Sequence, residues 1–466
     1  MTEKDFREKI NSPKADEILS ELYGEDEIDS QRKRYSQLVS KMHSGEFPKA
    51  ELENASPELR IFSAPGRTEL AGNHTDHNRG KVLAASIQLD SAAVVRKRSD
   101  GIVFFRSTGF PDVKVKLTDK NGELDLRPKP EEAGTTEALV RGIAAEFSLR
   151  GCMVASRHGI GGFTANAEST VLPGSGLSSS AAVEVLFGRI FDSLYGGGKR
   201  GPLEIAQIGQ IAENIYFKKP CGLMDQTACA SGGAVAIDFK DTKNPSVKKI
   251  NFDLAAAGYI LCVVNTGGNH ADLTADYASI PSEMKAVASF FGKSALREID
   301  KETVINSAPE IRKKLGDRAL LRAVHFFDEN DRVDAMTFVL QAMEKTAKTE
   351  EKAETFDVYL DLVNKSGNSS WELLQNVYSP NDPANQGITT ALALSRDFIY
   401  CRCPRGGACR VHGGGFAGTI QAYIPIDAME EYRRFMEAVF GAKNAGSAGA
   451  VTPLRIRQTG AAELLF

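Results

Sequence analysis

The segment LPGSGLSSSAAVEVLFGRIF, residues 172–191, carries the strongest chemical signal of the sequence, because a loop rich in glycine and serine runs directly into an amphipathic helix. Glycine lets a backbone approach an anion closely, and the N–H groups and dipole of a first helical turn favour negative charge. The pattern predicts a phosphate-binding loop, although a single loop of this kind is also typical of a plain serine-capped helix. The apolar face of the helix is formed by Val183, Leu186, Phe187, Ile190, Phe191 and Leu194.

Strand-like segments precede this loop in the chain. RIFSAPG (60–66) and KVLAASIQL (81–89) are short runs with β-branched or alternating residues, and turn-forming residues separate them. Helical spacing prevails over residues 281–374, with breaks expected at GNSS (367–370) and SPNDP (379–383), and the tail alternates strand, helix and strand. The mixture predicts an α+β fold.

The length of 466 residues exceeds what one ordinary hydrophobic core serves, so two domains are expected. Residues 1–57 show charged residues with apolar ones at helical spacing, which predicts an extension of two amphipathic helices. The remaining chain divides into domains at 58–250 and 251–466, because DTKNPS interrupts the pattern near the boundary. A net charge of −4 offers no basic excess for nucleic acid or an anionic membrane, so small-molecule partners are expected.

The cysteines and the first residues indicate a cytoplasmic protein. The N-terminal segment lacks the apolar core of a secretory signal, and the odd number of seven cysteines in a long chain indicates reduced thiols. One cluster leaves an alternative, since Cys401, Cys403, Cys409 and His412 together could hold a structural zinc ion. Their spacing, C-x-C-x5-C-x2-H, is not a common zinc pattern.

Two other motifs carry less weight. GGGFAG (413–418) fits a dinucleotide-binding pattern but leads into a strand-like segment, and FGKS (291–294) ends like a P-loop without its first glycine. More informative are Glu213, which ends a helical pattern, and Asp225, which lies in a turn twelve residues later. Magnesium bound to a nucleotide needs one or two protein oxygens, and phosphoryl transfer benefits from a carboxylate near the accepting hydroxyl.

GRTELAGNHTDHNRG, residues 66–80, crowds charged and amide side chains between glycines. On ligand types alone, His74, Asp76 and His77 could form a metal site, whereas a phosphate loop or a sugar pocket would use the same residue types differently. The stretch therefore indicates a functional loop whose ligand is undecided.

Taken in order, GRTELAGNHTDHNRG, GSGLSSSAA, CGLMDQ and VHGGGFAGT resemble the motifs of the GHMP kinase superfamily, and within it of the galactokinase family. The resemblance covers residues 60–466 and leaves the N-terminal extension unexplained. It implies an N-terminal α/β domain, a C-terminal ferredoxin-like domain with extra helices, and an active site between them. It also implies transfer of a phosphoryl group from ATP, with Mg²⁺, to the anomeric hydroxyl of D-galactose.

The resemblance assigns roles to particular residues. Asp225 is the implied catalytic base, Arg67 contacts the reacting centre, and Ser180 and Glu213 are the implied Mg²⁺ ligands. The implied nucleotide-binding residues are Gly174, Gly176, Ser179 and Ser180. The implied sugar-binding residues are Arg67, Asn73, His74, Asp76, Gly222, Asp225 and Tyr277.

This chain departs from the family pattern in the sugar loop. Galactokinases usually carry glutamate where it has Asn73 and tyrosine where it has His77. An ionised glutamate only accepts hydrogen bonds, whereas asparagine both donates and accepts, so the sugar could instead be galactosamine, N-acetylgalactosamine or arabinose. A galactose sensor that binds sugar and ATP without turnover is the other alternative, although the Ser180-Ala181 pair that such sensors can lack is present.

Overall fold

The computed structural model describes residues 1–44, 47–151, 161–172, 174–267, 273–346, 349–442 and 449–466. Over these residues the chain mixes helices with two β-sheets, which confirms the expected α+β fold. No helix in this part of the chain combines the length and the apolar character that a membrane crossing requires.

Fourteen helices are present in the described residues, and the first three form the N-terminal extension. The helices are α1 (Glu3–Lys9), α2 (Pro13–Tyr23), α3 (Ile28–His43), α4 (Thr136–Leu149), α5 (Ser179–Phe191), α6 (Pro202–Ile211), α7 (Met224–Ser231), α8 (Thr274–Phe290), α9 (Lys301–Asn306), α10 (Ala308–Leu315), α11 (Asp317–Lys345), α12 (Thr349–Ser369), α13 (Gly387–Arg402) and α14 (Met429–Phe440). The two helices expected before residue 58 are α2 and α3, whereas the seven-residue α1 is too short for its spacing to be recognised. Ser12 starts α2 separately by accepting a hydrogen bond from the Ala15 N–H, and Pro13 follows as the first helical residue.

Twelve strands of the described chain form two sheets. The strands are β1 (Arg60–Ala71), β2 (Lys81–Arg98), β3 (Ile102–Ser107), β4 (Val113–Lys116), β5 (Gly162–Ser169), β6 (Ala234–Asp238), β7 (Ser246–Ile250), β8 (Tyr259–Asn265), β9 (Ala408–Val411), β10 (Thr419–Pro425), β11 (Val451–Leu454) and β12 (Ala462–Leu464). The larger sheet has the order β12-β1-β2-β5-β3-β4, with β6 paired to β2 and β7 to β6. Thus the last strand of the chain returns to the sheet that begins at Arg60.

The long antiparallel pair of β1 and β2 places the site residues. Its register shifts between Pro65 and Arg67 and again between Glu69 and Ala71. Such irregularities re-aim side chains next to active sites. Helices α4 to α7 pack on one face of this sheet in a single apolar core, and α1 to α3 cover the other face.

The smaller sheet is antiparallel with the order β11-β8-β10-β9. Counted along the chain, its strands stand in the order 4-1-3-2 and helices connect the first to the second and the third to the fourth, which is the expected ferredoxin-like arrangement. Helices α11 and α12 lie between the two sheets, because Met336, Phe356 and Tyr359 share one core with Leu83 and Leu261.

The break expected at GNSS (367–370) is wrong, because α12 continues through Ser369. A Cβ on Gly367 would lie 2.9 Å from the backbone oxygen of Cys409 on β9. The glycine therefore permits close packing of the helix on the sheet, which local sequence does not distinguish from a turn signal. The break expected at SPNDP (379–383) is present, since these residues lie between α12 and α13.

Candidate active site

A cleft of about 320 Å³ lies where the turn after β1, the start of α7 and the turn after β9 meet. Most of the sequence-predicted sugar-site residues lie in its walls. The lining residues are Arg67, Glu69, Asn73, His74, Asp76, His77, Lys219, Pro220, Cys221, Gly222, Met224, Asp225, Gly413 and Gly414. The fold thus brings together residues that are separated by more than 300 positions in the sequence.

Arg67 and Asp225 form an ion pair at this cleft. The Nε and Nη2 atoms of Arg67 each lie 2.8 Å from Oδ1 of Asp225, and the Nε–H donates the hydrogen bond of this ion pair. The Oδ2 atom accepts a hydrogen bond of 2.5 Å from the Ser178 hydroxyl. Arg67 is buried, whereas the Asp225 side chain remains 32% exposed toward the cleft. The carboxylate is therefore held in a fixed orientation and is still accessible to a ligand.

The glycine loop before α5 adjoins this ion pair. Arg67 donates through Nη1 to the Gly176 carbonyl, and the Arg67 N–H donates to the Leu177 carbonyl at 3.1 Å. Gly174 and Gly176 both have φ of +72°, which strongly favours glycine. Among the described residues no side chain caps the N-terminus of α5, because the Ser178 hydroxyl donates to Asp225 instead. The N–H groups at this helix start are thus left to a ligand or solvent.

Ser179 and Ser180 are the first two residues of α5, and Ser180 is exposed.

His412, in the turn after β9, supports the glycine loop. Its Nε2 and Nδ1 atoms lie 3.1 and 3.0 Å from the hydroxyls of Thr68 and Thr419, and the Thr419 hydroxyl donates to the Ser175 carbonyl at 3.0 Å.

His74 and Asp76 lie in the turn between β1 and β2, where the sequence predicts sugar contacts. His74 adopts φ of +61°, and its Nε2–H donates to the Gly414 carbonyl at 2.9 Å. Burial lowers the pKa of His74 to about 4, so near neutral pH its ring is uncharged and Nδ1 is left as an acceptor.

Asp76 packs tightly against Gly222. A Cβ on Gly222 would lie 2.2 Å from Oδ2 of Asp76, so only glycine leaves room for this carboxylate. The other oxygen, Oδ1, accepts the backbone N–H of His77 at 2.9 Å. The turn and the segment before α7 thus form one continuous wall.

Asn73 lies in the cleft wall, but its amide is already engaged. Nδ2 donates to Oε1 of Glu69 at 3.0 Å and to the Gly413 carbonyl at 2.6 Å, and Oδ1 accepts from Asn376 at 2.7 Å. Only 1% of the residue is exposed. Both donors are therefore occupied within the protein, which limits any sugar contact by Asn73 to acceptance at Oδ1.

Tyr277 lies behind the cleft, outside the described residues that line it. Its hydroxyl donates to the Gly415 carbonyl at 2.9 Å, and its ring packs edge-on against Phe416. A Cβ on Gly414 would lie 2.4 Å from the Tyr277 ring, so the tyrosine supports the glycine turn that forms one wall. Its contact with a sugar stays a prediction.

Glu213 lies in a π-helical turn and is buried in a cluster of polar groups. Its Oε1 accepts from Lys219 at 3.0 Å, and its Oε2 accepts from Gln226, which also donates to Glu184 at 2.9 Å. Burial and the charge of Glu213 raise the pKa of Glu184 well above its usual range, and no described residue forms a hydrogen bond to Oε1 of Glu184. Two buried acidic side chains thus share the amide of Gln226, and Lys219 pairs with Glu213 alone among the described residues.

The zinc alternative finds no geometric support. Cys401 is exposed on α13 and Cys409 is buried in the second sheet, while both ring nitrogens of His412 contact threonine hydroxyls. In the described part of the chain, no three His, Cys, Asp or Glu side chains are arranged to hold a metal ion. The six cysteines that the structure describes are free thiols, and Cys152 lies outside that part.

Sequence reasoning missed three residues that shape the site. Glu69 lines the cleft, while His325 and Glu329 on α11 hold the backbone of the sugar loop. His325 contacts the Asn73 carbonyl at 3.0 Å, and Glu329 accepts the Gly72 N–H at 3.0 Å. The available signal was weak, because polar residues at helical spacing on α11 are also typical of a solvated face.

Comparison with known proteins places these features in a family. The galactokinase galactose-binding signature matches residues 49–97, and the GHMP kinases N-terminal domain matches residues 139–233. The galactokinase of Streptomyces coelicolor is 34% identical over 395 residues, which are 84% of this chain and 91% of that protein.

Solved structures show the same fold. The structure of Lactococcus lactis galactokinase complexed with galactose superposes with a TM-score of 0.70 at 22% identity, covering 93% of this chain and all of that one. The mevalonate kinase of Methanococcus jannaschii gives a TM-score of 0.55 at 14% identity, covering 85% and 98% of the two chains. The identity with the Streptomyces protein, sustained over most of both chains, shows that the chain belongs to the galactokinase family of the GHMP kinases.

Proposed function

We propose that this protein is an ATP-dependent sugar 1-kinase that converts D-galactose to α-D-galactose 1-phosphate and ADP. Its family membership makes it a phosphotransferase with an alcohol acceptor. The single observation that carries the proposal is the Arg67–Asp225 pair, which lies between the sugar-facing turn and the glycine loop. A carboxylate at that point meets a hydroxyl on one side and a phosphoryl group on the other.

In this proposal Asp225 accepts the hydrogen bond, and eventually the proton, of the attacking hydroxyl. Its Oδ1 is fixed by Arg67 and its Oδ2 by Ser178, so the carboxylate needs little reorganisation when the hydroxyl arrives. The guanidinium of Arg67 also contacts the Gly176 carbonyl, which puts positive charge near the transferred phosphoryl group. Positioning and electrostatics would supply most of the rate enhancement.

ATP phosphates are assigned to the loop with Gly174 and Gly176 and to the start of α5 with Ser179 and Ser180. Two observations support this assignment: the helix start lacks a side-chain cap, and the glycines adopt φ values that expose backbone N–H groups. The helix dipole adds a favourable field for the phosphates.

Magnesium is assigned to Ser180 and Glu213. Hydroxyl and carboxylate oxygens are hard ligands that suit this ion, and nucleotide phosphates and water supply the rest of its coordination. Burial and the charge of Glu213 raise the pKa of Glu184, and a cation bound beside the two carboxyl groups would offset the repulsion between them. When bound, the ion would neutralise charge on the phosphates.

Reduced thiols and the use of ATP also favour a cytoplasmic location.

The test is a kinase assay of the purified chain with ATP, Mg²⁺ and a panel of free sugars. We expect galactose to give the highest kcat/KM among galactose, galactosamine, N-acetylgalactosamine, arabinose and glucose. Absence of product from every sugar at high enzyme concentration would overturn the proposal and favour a non-catalytic sensor.

The role of Asp225 is tested by Asp225→Asn. We expect kcat to fall at least about 10³-fold while ATP binding, measured by calorimetry, is retained, because the amide cannot take the proton. Asp238→Asn, on β6 and in an ion pair with Arg297, is the matched control and should retain activity. Full activity of Asp225→Asn would refute the assignment.

A further inference from the structure

Glu69 is a buried carboxylate in the wall of the proposed sugar cleft. It follows Arg67 by two positions on β1, and both side chains line the cleft. Its Oε1 accepts from Nδ2 of Asn73 at 3.0 Å and from Nη2 of Arg410 at 2.8 Å. The residues that the structure describes give no hydrogen bond to Oε2, and this atom is not sealed from solvent. One carboxylate oxygen is thus available on the cleft side.

Glu69 forms an ion pair with Arg410. The Arg410 side chain is fully buried, and its Nε and Nη1 atoms have no hydrogen-bond partner among the described residues, so it relies on the contact with Glu69 and on the nearby charge of Glu329 for compensation. Burial raises the pKa of Glu69, while Arg410 and Arg67 oppose that shift. A charged acceptor with one oxygen open to the cleft makes stronger hydrogen bonds than a neutral one.

The neighbouring Asn73 supplies neither a charged acceptor nor a free donor. Its two N–H groups are occupied by Glu69 and Gly413, and its oxygen already accepts from Asn376. Relatives that carry glutamate at position 73 have a carboxylate in the loop itself. In this chain the carboxylate is instead on the preceding strand, four residues earlier, and the asparagine amide orients it.

We propose that Oε2 of Glu69 accepts a hydrogen bond from one hydroxyl of the bound sugar and so determines specificity, with Asn73 as a positioning residue. The inference rests on the proposed sugar-kinase function and names a specificity residue for it. Glu69 would then distinguish sugars by the presence of that one hydroxyl, because removing the hydroxyl leaves a desolvated carboxylate oxygen unpaired.

The experiment measures KM and kcat for galactose and for its 2-, 3-, 4- and 6-deoxy derivatives with the wild-type enzyme and Glu69→Gln. We expect the galactose KM of Glu69→Gln to rise roughly 10- to 100-fold, as the loss of one charged hydrogen bond implies, with the ATP KM unchanged. The deoxy sugar that lacks the contacted hydroxyl should have nearly the same KM with the variant as with the wild type. This selective insensitivity separates a sugar contact from a merely structural role.

A second variant guards against misfolding, because Glu69→Gln leaves Arg410 without its compensating charge. The exchange Glu69→Asn with Asn73→Glu keeps one carboxylate and one amide in the network. We expect Asn73→Glu alone to raise the galactose KM by placing two carboxylates side by side, and the double variant to return it to within about tenfold of the wild type. Thermal unfolding of each variant checks the fold.

Two results would overturn the inference: an unchanged galactose KM in Glu69→Gln, or an equal rise for every deoxy sugar. If Glu69→Gln does not fold, failure of the double variant to recover from the effect of Asn73→Glu would overturn it as well. Lack of sugar phosphorylation by the wild-type enzyme would count instead against the proposed function, so the two failures are distinguishable.

Discussion

Gly222→Ala perturbs the proposed sugar site by a single methyl group. The added Cβ would lie 2.2 Å from Oδ2 of Asp76, closer than the 3.0 Å below which real contacts essentially do not occur. The carboxylate must therefore retreat by roughly 1 Å, a displacement that can cost on the order of 10²-fold in rate when it misplaces a reacting group. Since Asp76 is the end of a side chain, it can rotate away and the fold should survive.

The assay compares kcat/KM for galactose and the midpoint of thermal unfolding. We expect Gly222→Ala to lose roughly 30- to 100-fold in kcat/KM, mainly through KM, with little change in the unfolding midpoint. Gly201→Ala is the matched control, because a Cβ there meets nothing within 4 Å and the residue has φ of −70°. A kcat/KM equal to the wild type in Gly222→Ala would refute the view that the Asp76 carboxylate must occupy this position.

Two further predictions concern stability. Asp90 is fully buried and accepts hydrogen bonds from Arg34 at 2.7 Å and from Tyr23 at 2.6 Å. Asp90→Ala should therefore lower the free energy of unfolding in urea by about 3–5 kcal/mol, whereas Asp112→Ala, which removes a surface ion pair, should lower it by at most about 1 kcal/mol. Equal losses in the two variants would contradict this prediction. Burial raises the pKa of Glu329, but nearby positive charges, chiefly Arg332, outweigh this effect and lower the pKa to about 2. The ionised Glu329 therefore stabilises the folded protein above pH 4.5, and this stabilisation is lost as the pH falls toward 2. Between pH 5 and pH 2 the free energy of unfolding should fall by about 3 kcal/mol less in Glu329→Gln than in the wild type. An equal fall in both proteins would exclude the effect.

The sequence predicted those parts of the site that are contiguous in the chain. Arg67, Asp225 and the glycine loop lie in short motifs whose residue types indicate phosphoryl transfer. The structure brings these motifs within hydrogen-bond distance of one another. The same holds for α5, because its apolar spacing is regular over three turns.

The remaining features depend on contacts between distant segments. Glu69 has the appearance of an ordinary strand residue until Arg410, 341 positions later, is placed beside it. Gly367 resembles a turn signal until β9 is packed against it. Tertiary packing of this kind overrides local preference, so neither residue could be assigned from its neighbours in the sequence.

The turn between β1 and β2 is held in place by one distant helix, α11. Three residues of α11 hold its backbone: His325 contacts the Asn73 carbonyl, Glu329 accepts the Gly72 N–H, and Asn330 accepts the Lys81 N–H at 2.6 Å. These contacts join positions about 250 residues apart and bracket the whole turn that carries the proposed sugar ligands. Asp225, the proposed catalytic base, lies on α7, which packs on β1 and β2. The distance between this turn and Asp225 therefore depends on how α11 packs against the first sheet, and in the proposed function that packing would influence sugar selectivity together with the lining residues.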